Sequence, residues 1–432
     1  MTTQKKNSSN FIKQGSILAA ASIIVRIIGM IYRIPMANII GEEGNGIYAV
    51  AFDIYDLILI ISSYSLPLAL SKILSAKRVK KEYRNIGKIF RLSLIFALVS
   101  GGIFSLTMFF GADFIEKTFY HKYSGLAIPL RILAPTVFIV AFLGVFRGFF
   151  QGKNTMIPTA FSQIFEQIIN AFVSVYAAYA FMSAHNLSVN IDAWGAAGGT
   201  LGTCMGALTA LFFLLLLYSL YLPRKRKLEQ KDRTLHVDDS KTIYRLLIIT
   251  ILPIILSQTV YQICGVLDYY LFGNILGGKL DDTVIKSLTG IYSSKYRLLI
   301  GVPIAISTSF ASSMIPSAVG SFVRHDYGAV CHKVATSIKF NMLVAFPCAF
   351  GLAVLGQPIV RMLFPSSDYV TSGNLLLFGS VAILIYALSN VTGAALQSIN
   401  HIHIPAIHSA VSLVIHVVIV VLLLKFTSLG IY

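Results

Sequence analysis

Two arginines, Arg26 and Arg33, stand in the otherwise apolar run SIIVRIIGMIYRIP at residues 22–35. Seven positions at ~100° each turn ~700°, so one helix face carries both, two turns apart. Gly29 lies between them and thins the helix on that side. An arginine at the centre of a membrane helix costs ~2.5–3.5 kcal/mol, so such residues normally face a protein interior or a watery cavity. Snorkelling or internal ion pairing is the alternative, and Arg33 reaches outward more readily than Arg26. A guanidinium cannot lose its charge, and its planar fork binds two oxygens at once. The second half of the chain offers Arg297 in SSKYR, at a depth similar to Arg33. Lys295 is ~200° round the helix from Arg297, so both cannot face one cavity, and Arg297 is the favoured residue. Two or three such groups suit a multiply charged anion such as a diphosphate.

The acids allow other chemistry. Asp53 and Asp56 are spaced i,i+3 in the second apolar run. They either pair with Arg33 or form a structural ion pair elsewhere. Glu166 sits mid-run in QIFEQIIN, beside Gln163, Gln167 and Asn170. It is either a proton or cation site or the centre of an interhelical hydrogen-bond network. Asp268 lies nearer the outer surface. Cys204, Cys264, Cys331 and Cys348 have no metal-ligand spacing, and His401 and His403 fall on opposite helix faces, so no metal is expected. There is no GxxxxGK[ST] loop, hence no nucleotide-driven pump in this chain, and no cofactor is implied.

The elements that must hold these residues are membrane helices. The 432 residues are 56% hydrophobic and 12% charged, with a mean hydropathy of +0.75. A soluble chain carries ~25% charged residues, and a span needs ~20 mostly apolar ones. Eleven runs qualify: 15–40, 47–71, 89–110, 126–150, 156–182, 195–222, 246–272, 287–314, 340–356, 373–397 and 404–424. A β-barrel would instead show ~10-residue alternating strands. The expectation is an all-α polytopic membrane protein. The start resembles the basic and apolar regions of a signal peptide, but the apolar run continues past AAAS, as in an uncleaved first span.

Numbering the intervening loops alternately puts 24 of the 35 Lys and Arg on one side and six on the other. By the positive-inside rule the richer side, with the N-terminus, is cytoplasmic, and the protein is expected in the plasma membrane. Anionic lipid is the natural partner of those loops. The net charge of +17 does not mean nucleic acid, because no basic–aromatic recognition module is present. The remaining five basic residues, Arg26, Arg33, Arg131, Lys295 and Arg297, fall within runs.

The chain repeats itself once. GIYAVAFDIYDLILI and GIYSSKYRLLIGV begin 244 residues apart, at Gly46 and Gly290. Gln151, Asn154 and Pro158 recur as Gln397, Asn400 and Pro405, offset by 246, 246 and 247 residues. Matches at nearly one offset argue for a duplicated bundle. The expected organisation is a six-helix lobe over 1–222, a basic cytoplasmic linker at 223–245 and a second lobe over 246–432. Five spans in the second lobe, with LGIY at the chain end where AWGAAGGT opens span six of the first, suggest missing C-terminal helices. Prolines at 35, 67, 135, 253, 303, 316 and 347 fall inside the runs, where kinks allow bundles to bend or merely pack.

IVRIIGMIYRIPMANIIGEEGNGIYAVAFDIYDLILI, LPLALSKILSA, GVFRGFFQGKNTMIPTAFSQIFEQIINA and SKYRLLIGVPIAISTSFASSMIPSAV resemble the polysaccharide and lipid II flippases of the MOP superfamily. The likeness is strongest to the Gram-positive branch of stage V sporulation protein B and the MurJ-like YtgP proteins, and it covers essentially the whole chain. It implies two pseudo-symmetric, MATE-like bundles of six helices around a V-shaped cavity lined by spans 1, 2, 7 and 8. It implies a lipid-linked sugar diphosphate as substrate, turned over by alternating access in a monomer that is not an enzyme. By position, Arg26 and Arg297 match arginines of spans one and eight in MurJ-like proteins, and Arg33 matches the Tyr-Arg-Ile-Pro pattern of the Gram-positive branch. The rivals are a multidrug or cation antiporter of the same superfamily, which predicts an acidic cavity, and a membrane-embedded glycan-modifying enzyme, for which the outer loops are short.

Overall fold

A computed structural model describes residues 2–153, 155–232, 237–401, 403–427 and 430; Asn154 of the internal repeat lies outside them. Among the described residues all regular structure is helical. The elements are α1 (Thr2–Leu59), α2 (Leu66–Val79), α3 (Tyr83–Phe119), α4 (Ala127–Gly152), α5 (Ile157–Ala184), α6 (Ile191–Gln230) and α7 (Ser240–Leu276). There follow α8 (Asp282–Ile291), α9 (Leu298–Val323), α10 (Tyr327–Leu363), α11 (Tyr369–Gly379), α12 (Val381–Ser398) and α13 (His403–Phe426). Single π-helical turns, Ile60–Tyr64 and Tyr292–Arg297, join α1 to α2 and α8 to α9.

Ten stretches among the described residues are long and apolar enough to cross a membrane, against eleven expected. The difference lies at the start, where the first two expected spans share one 60-residue stretch, Ala20–Val79. At ~1.5 Å per residue it would reach ~90 Å, about three times the hydrocarbon thickness of a bilayer. Gly41 breaks it, with φ 68° and ψ −176°, a conformation that glycine adopts without a Cβ penalty. Pro35, Pro135, Pro253 and Pro347 stand inside helices as expected. Pro67 does not: it opens α2, where its missing N–H would have no helical partner anyway.

The outer surfaces are apolar. Phe110, Phe172 and Val354 are about three-quarters exposed (75%, 73% and 74%), which suits contact with lipid rather than water.

The chain forms two compact units: residues 1–39 with 50–266, and residues 40–49 with 267–432. The first half of α7 buries Ile243, Leu247 and Ile251 with Leu70, Phe90, Phe149 and Leu214 in the core of the first unit. The basic linker is also tied to that unit. The Arg84 N–H donates to Asp232 at 2.6 Å, the Asp238 N–H donates to Asn85 at 2.8 Å, and Lys77 pairs with Asp238.

In the first unit α5 and α6 approach unusually closely. A Cβ on Gly198 or Gly202 would fall on Ala177 O or Ser174 Oγ, and one on Gly206 would lie 2.5 Å from Glu166 O. This small-residue seam lets two backbones meet. Across it Ser174 donates to Gly199 O at 2.8 Å. In the second unit Ala311, Met314, Ala318, Val391 and Ala394 pack α9 against α12, and Asn390 donates to Thr308 Oγ1 at 3.1 Å.

Candidate functional site

Within the first unit the close α5–α6 seam fixes the polar side of α5, and α1 lies along it. Tyr32 is buried and accepts a hydrogen bond from Asn170 at 3.3 Å. A Cβ on Gly29 would come within 3.0 Å of Gln167 Nε2, so the thin side of α1 is where α5 approaches. Arg26 and Arg33 are both exposed on this helix, and each takes part in interactions within the structure. Asp53 is buried, at 7% exposure, and a Cβ on Gly265 of α7 would fall against its carboxylate. Asp56 is half-buried.

Glu166 has a partner that the sequence hid. Arg147 Nη2 pairs with its carboxylate at 2.5 Å, and Arg147 Nε donates to Ser162 Oγ at 3.1 Å. Arg147 stands in the last turns of α4, which continues to Gly152. Arg131, another basic residue within a run, pairs with Asp113 of α3.

In the second unit the π-turn Tyr292–Arg297 sorts its two cations. Lys295 is 2% exposed and its Nζ lies 3.4 Å from Glu42 Oε1. The same carboxylate accepts from Ser287 Oγ (2.7 Å), Ser367 Oγ (2.7 Å) and the Asp368 N–H (2.9 Å). Glu42 reaches this position because segment 40–49 packs backbone to backbone on 286–290, where Gly46 meets Lys286 O and Gly290 meets Glu42 O. Glu42 was missed by the sequence reading; the GEEGNG turn that carries it was the available signal. Arg297 is exposed, and its Nη1 donates to Tyr269 Oη at 3.1 Å. Nearby, Asp268 and His416 Nε2 are 2.6 Å apart, on the wall of a cavity of about 210 Å³ that Tyr269 and Tyr292 also line. Among the described residues no cluster of His, Cys, Asp and Glu could hold a metal ion.

The fold resembles that of solved MOP-superfamily transporters. A multidrug resistance MATE family transporter of that superfamily, in an inward-facing conformation, superposes with a TM-score of 0.75 at 16% identity, over 94% of this chain and 88% of that one. A MOP-superfamily transporter from Pyrococcus furiosus, described as having reverse polarity of its binding pocket, superposes with a TM-score of 0.64 at 15% identity, over 98% and 89%. Sequence narrows the class. Residues 11–320 match the polysaccharide biosynthesis protein family, and the chain belongs to it. The lipid II flippase MurJ of Bacillus subtilis (strain 168) is 25% identical over 431 residues, covering 97% of this chain and 78% of that protein. Stage V sporulation protein B of the same organism is 24% identical over 427 residues, covering 98% and 79%. The resemblance drawn from the sequence is borne out, and the chain is a multi-pass membrane protein with a transporter fold.

Proposed function

We propose that the protein flips a lipid-linked oligosaccharide diphosphate, lipid II or a related cell-wall or polysaccharide precursor, across the plasma membrane. One observation carries the reading: the π-turn of the second unit buries Lys295 against Glu42 and leaves Arg297 exposed. Arg297 is exposed while also donating to Tyr269 Oη, and arginine is the side chain suited to a phosphate pair. Arg26 and Arg33 are the corresponding groups of the first unit, both exposed on one helix. Alternating access would carry the headgroup while the lipid tail stays in the bilayer, with the N-terminus in the cytoplasm. The relatives named as lipid II flippases support the substrate class. The antiporter reading rests on Glu166, and the ion pair with Arg147 counts against it as a cation site.

The test uses cells depleted of their own lipid II flippase and measures the lipid II accessible on the outer face. The protein should restore it, and Arg26→Ala and Arg297→Ala should each abolish the rescue at equal expression. No rescue by well-expressed wild type rejects lipid II as the substrate. Rescue by all three removes the arginines from the mechanism.

A further inference from the structure

A second cationic feature, built from other residues, lies wholly within the first unit, where the basic loops gather. The ends of α2, α4 and α6 and the start of α3 enclose a cavity of about 310 Å³. Arg78, Lys153 and Arg224 line it together with Tyr83, Phe149 and Tyr221. Lys153 Nζ lies 3.1 Å from the centroid of the Tyr221 ring and 5.5 Å from that of Phe149. Arg78 is anchored by donating to Lys153 O, which holds the two cations side by side.

The charge here is not balanced. Glu229 is the acid on the wall, and it lies 3.7 Å from Lys225 Nζ, a buried ammonium that also donates to Tyr218 Oη at 3.1 Å. The charges that act on Lys153 are the cations Arg78 and Arg224, with no carboxylate among them. Burial, then the neighbouring Arg78 and Arg224, push the Lys153 ammonium down to about 8. Three converging cations in a partly desolvated recess are unfavourable unless an anion joins them. An aromatic floor beside a cationic rim further selects an anion that carries a larger body. A second cavity of about 660 Å³, lined by Arg84, Lys88, Arg91 and Arg226, adjoins it across Glu229 and extends the positive field.

We propose that this cavity is a binding site for a phosphate-bearing anion, its charge held by Arg78, Arg224 and Lys153 and the rest of the ligand laid against Tyr221 and Phe149. Two sources share this chemistry: the headgroup of an anionic phospholipid and a soluble phosphate ester. The proposal does not depend on the flippase reading, because no residue of the α1 stripe or the π-turn takes part.

The experiment reads Lys153 directly. The full chain is placed in phosphatidylcholine nanodiscs at pH 8 and pulsed with an amine-acylating reagent, and modification is measured by mass spectrometry relative to the exposed Lys80. With its ammonium at about 8, about half of Lys153 is neutral and reactive, against fewer than ~1% of ordinary lysines. One arm adds inorganic phosphate; another replaces a third of the lipid with phosphatidylglycerol. A bound anion that raises the ammonium by ~1 unit cuts the neutral fraction at pH 8 about fivefold, before any shielding. Protection by phosphatidylglycerol alone assigns the lipid source, and protection by phosphate in phosphatidylcholine assigns a soluble one. Wild type should show an anion-dependent rise in melting temperature, and the Arg78→Gln/Arg224→Gln variant should lose both that rise and the protection. No protection and no rise in either arm, or equal effects in the double variant, overturns the proposal.

Discussion

Replacing Glu42 with alanine should destabilise the second unit sharply, and removing Lys295 as well should undo much of the damage. The Glu42 carboxylate holds Lys295 at 3.4 Å and accepts hydrogen bonds from Ser287, Ser367 and the Asp368 N–H. The Lys295 side chain is 2% exposed and that of Glu42 is 21% exposed. Deleting one member of a buried ion pair costs ~3–5 kcal/mol, mostly because the other charge stays desolvated. Water can reach part of the vacated Glu42 position, so the lower end, ~3 kcal/mol, is the working figure. For a unit of this size each kcal/mol moves the midpoint by ~2–4 °C, giving a fall of ~6–12 °C. Lys295→Met keeps an apolar stem of similar length without the charge, so Glu42→Ala/Lys295→Met should recover at least half of that loss. The assay is thermal unfolding of the full chain in detergent, followed by dye labelling of the half-buried Cys348. A Glu42→Ala midpoint within ~2 °C of wild type, or a double variant no more stable than the single, would refute the reasoning.

Three further outcomes are expected. Gly202→Ala should cost ~1–3 kcal/mol by pushing α6 off Ser174 and Asn170, whereas Gly301→Ala, with nothing within 4 Å of the new Cβ, should be neutral or slightly stabilising; paired melting curves decide it. Arg147→Met and Glu166→Gln should each lower the yield of folded protein, with the double variant closer to wild type; if Glu166→Gln alone is harmless to folding but abolishes transport, the acid is an ion site and not a structural partner. For Lys153 the folded-state value, about 8, lies below the unfolded 10.5. Between those values the unfolded chain binds more protons, so stability rises with pH there and is lost as pH falls toward 8. Melting temperatures across pH 8–10 should therefore climb more steeply for wild type than for Lys153→Met.

The helical membrane architecture was legible because a span demands a long apolar run whatever its neighbours are. Gly41, the break inside Ala20–Val79, falls between the two apolar runs that the sequence separates there, 15–40 and 47–71. Helix angles say only that Arg297 and Lys295 cannot both face one cavity, while the structure separates them by burial: Lys295 meets Glu42, 253 residues back, and the Phe364 ring, about 70 ahead in sequence. Long-range pairings of this kind leave no periodic trace. The Arg147–Glu166 pair between α4 and α5 is hidden in the same way. The linker at 223–245 has the composition of a solvated loop, yet Asp232 and Asp238 dock it because their acceptors fit Arg84, Lys77 and Lys88. Charge counting gives the sign of such a segment and not its partners.

Segment 40–49 belongs with residues 267–432, while the chain on either side of it belongs with the first unit. That discontinuity sets a schedule during synthesis. Lys295 leaves the ribosome 253 residues after Glu42, roughly 13–50 s later at ~5–20 residues per second. Throughout that interval the first unit can assemble around a piece that it does not keep. A carboxylate at the turn between the first two expected spans tolerates the wait, because water can solvate it until its lysine arrives. The later-made unit is then captured by a segment already anchored in the membrane, and a gene split at the basic linker would separate Glu42 from the ammonium it must neutralise.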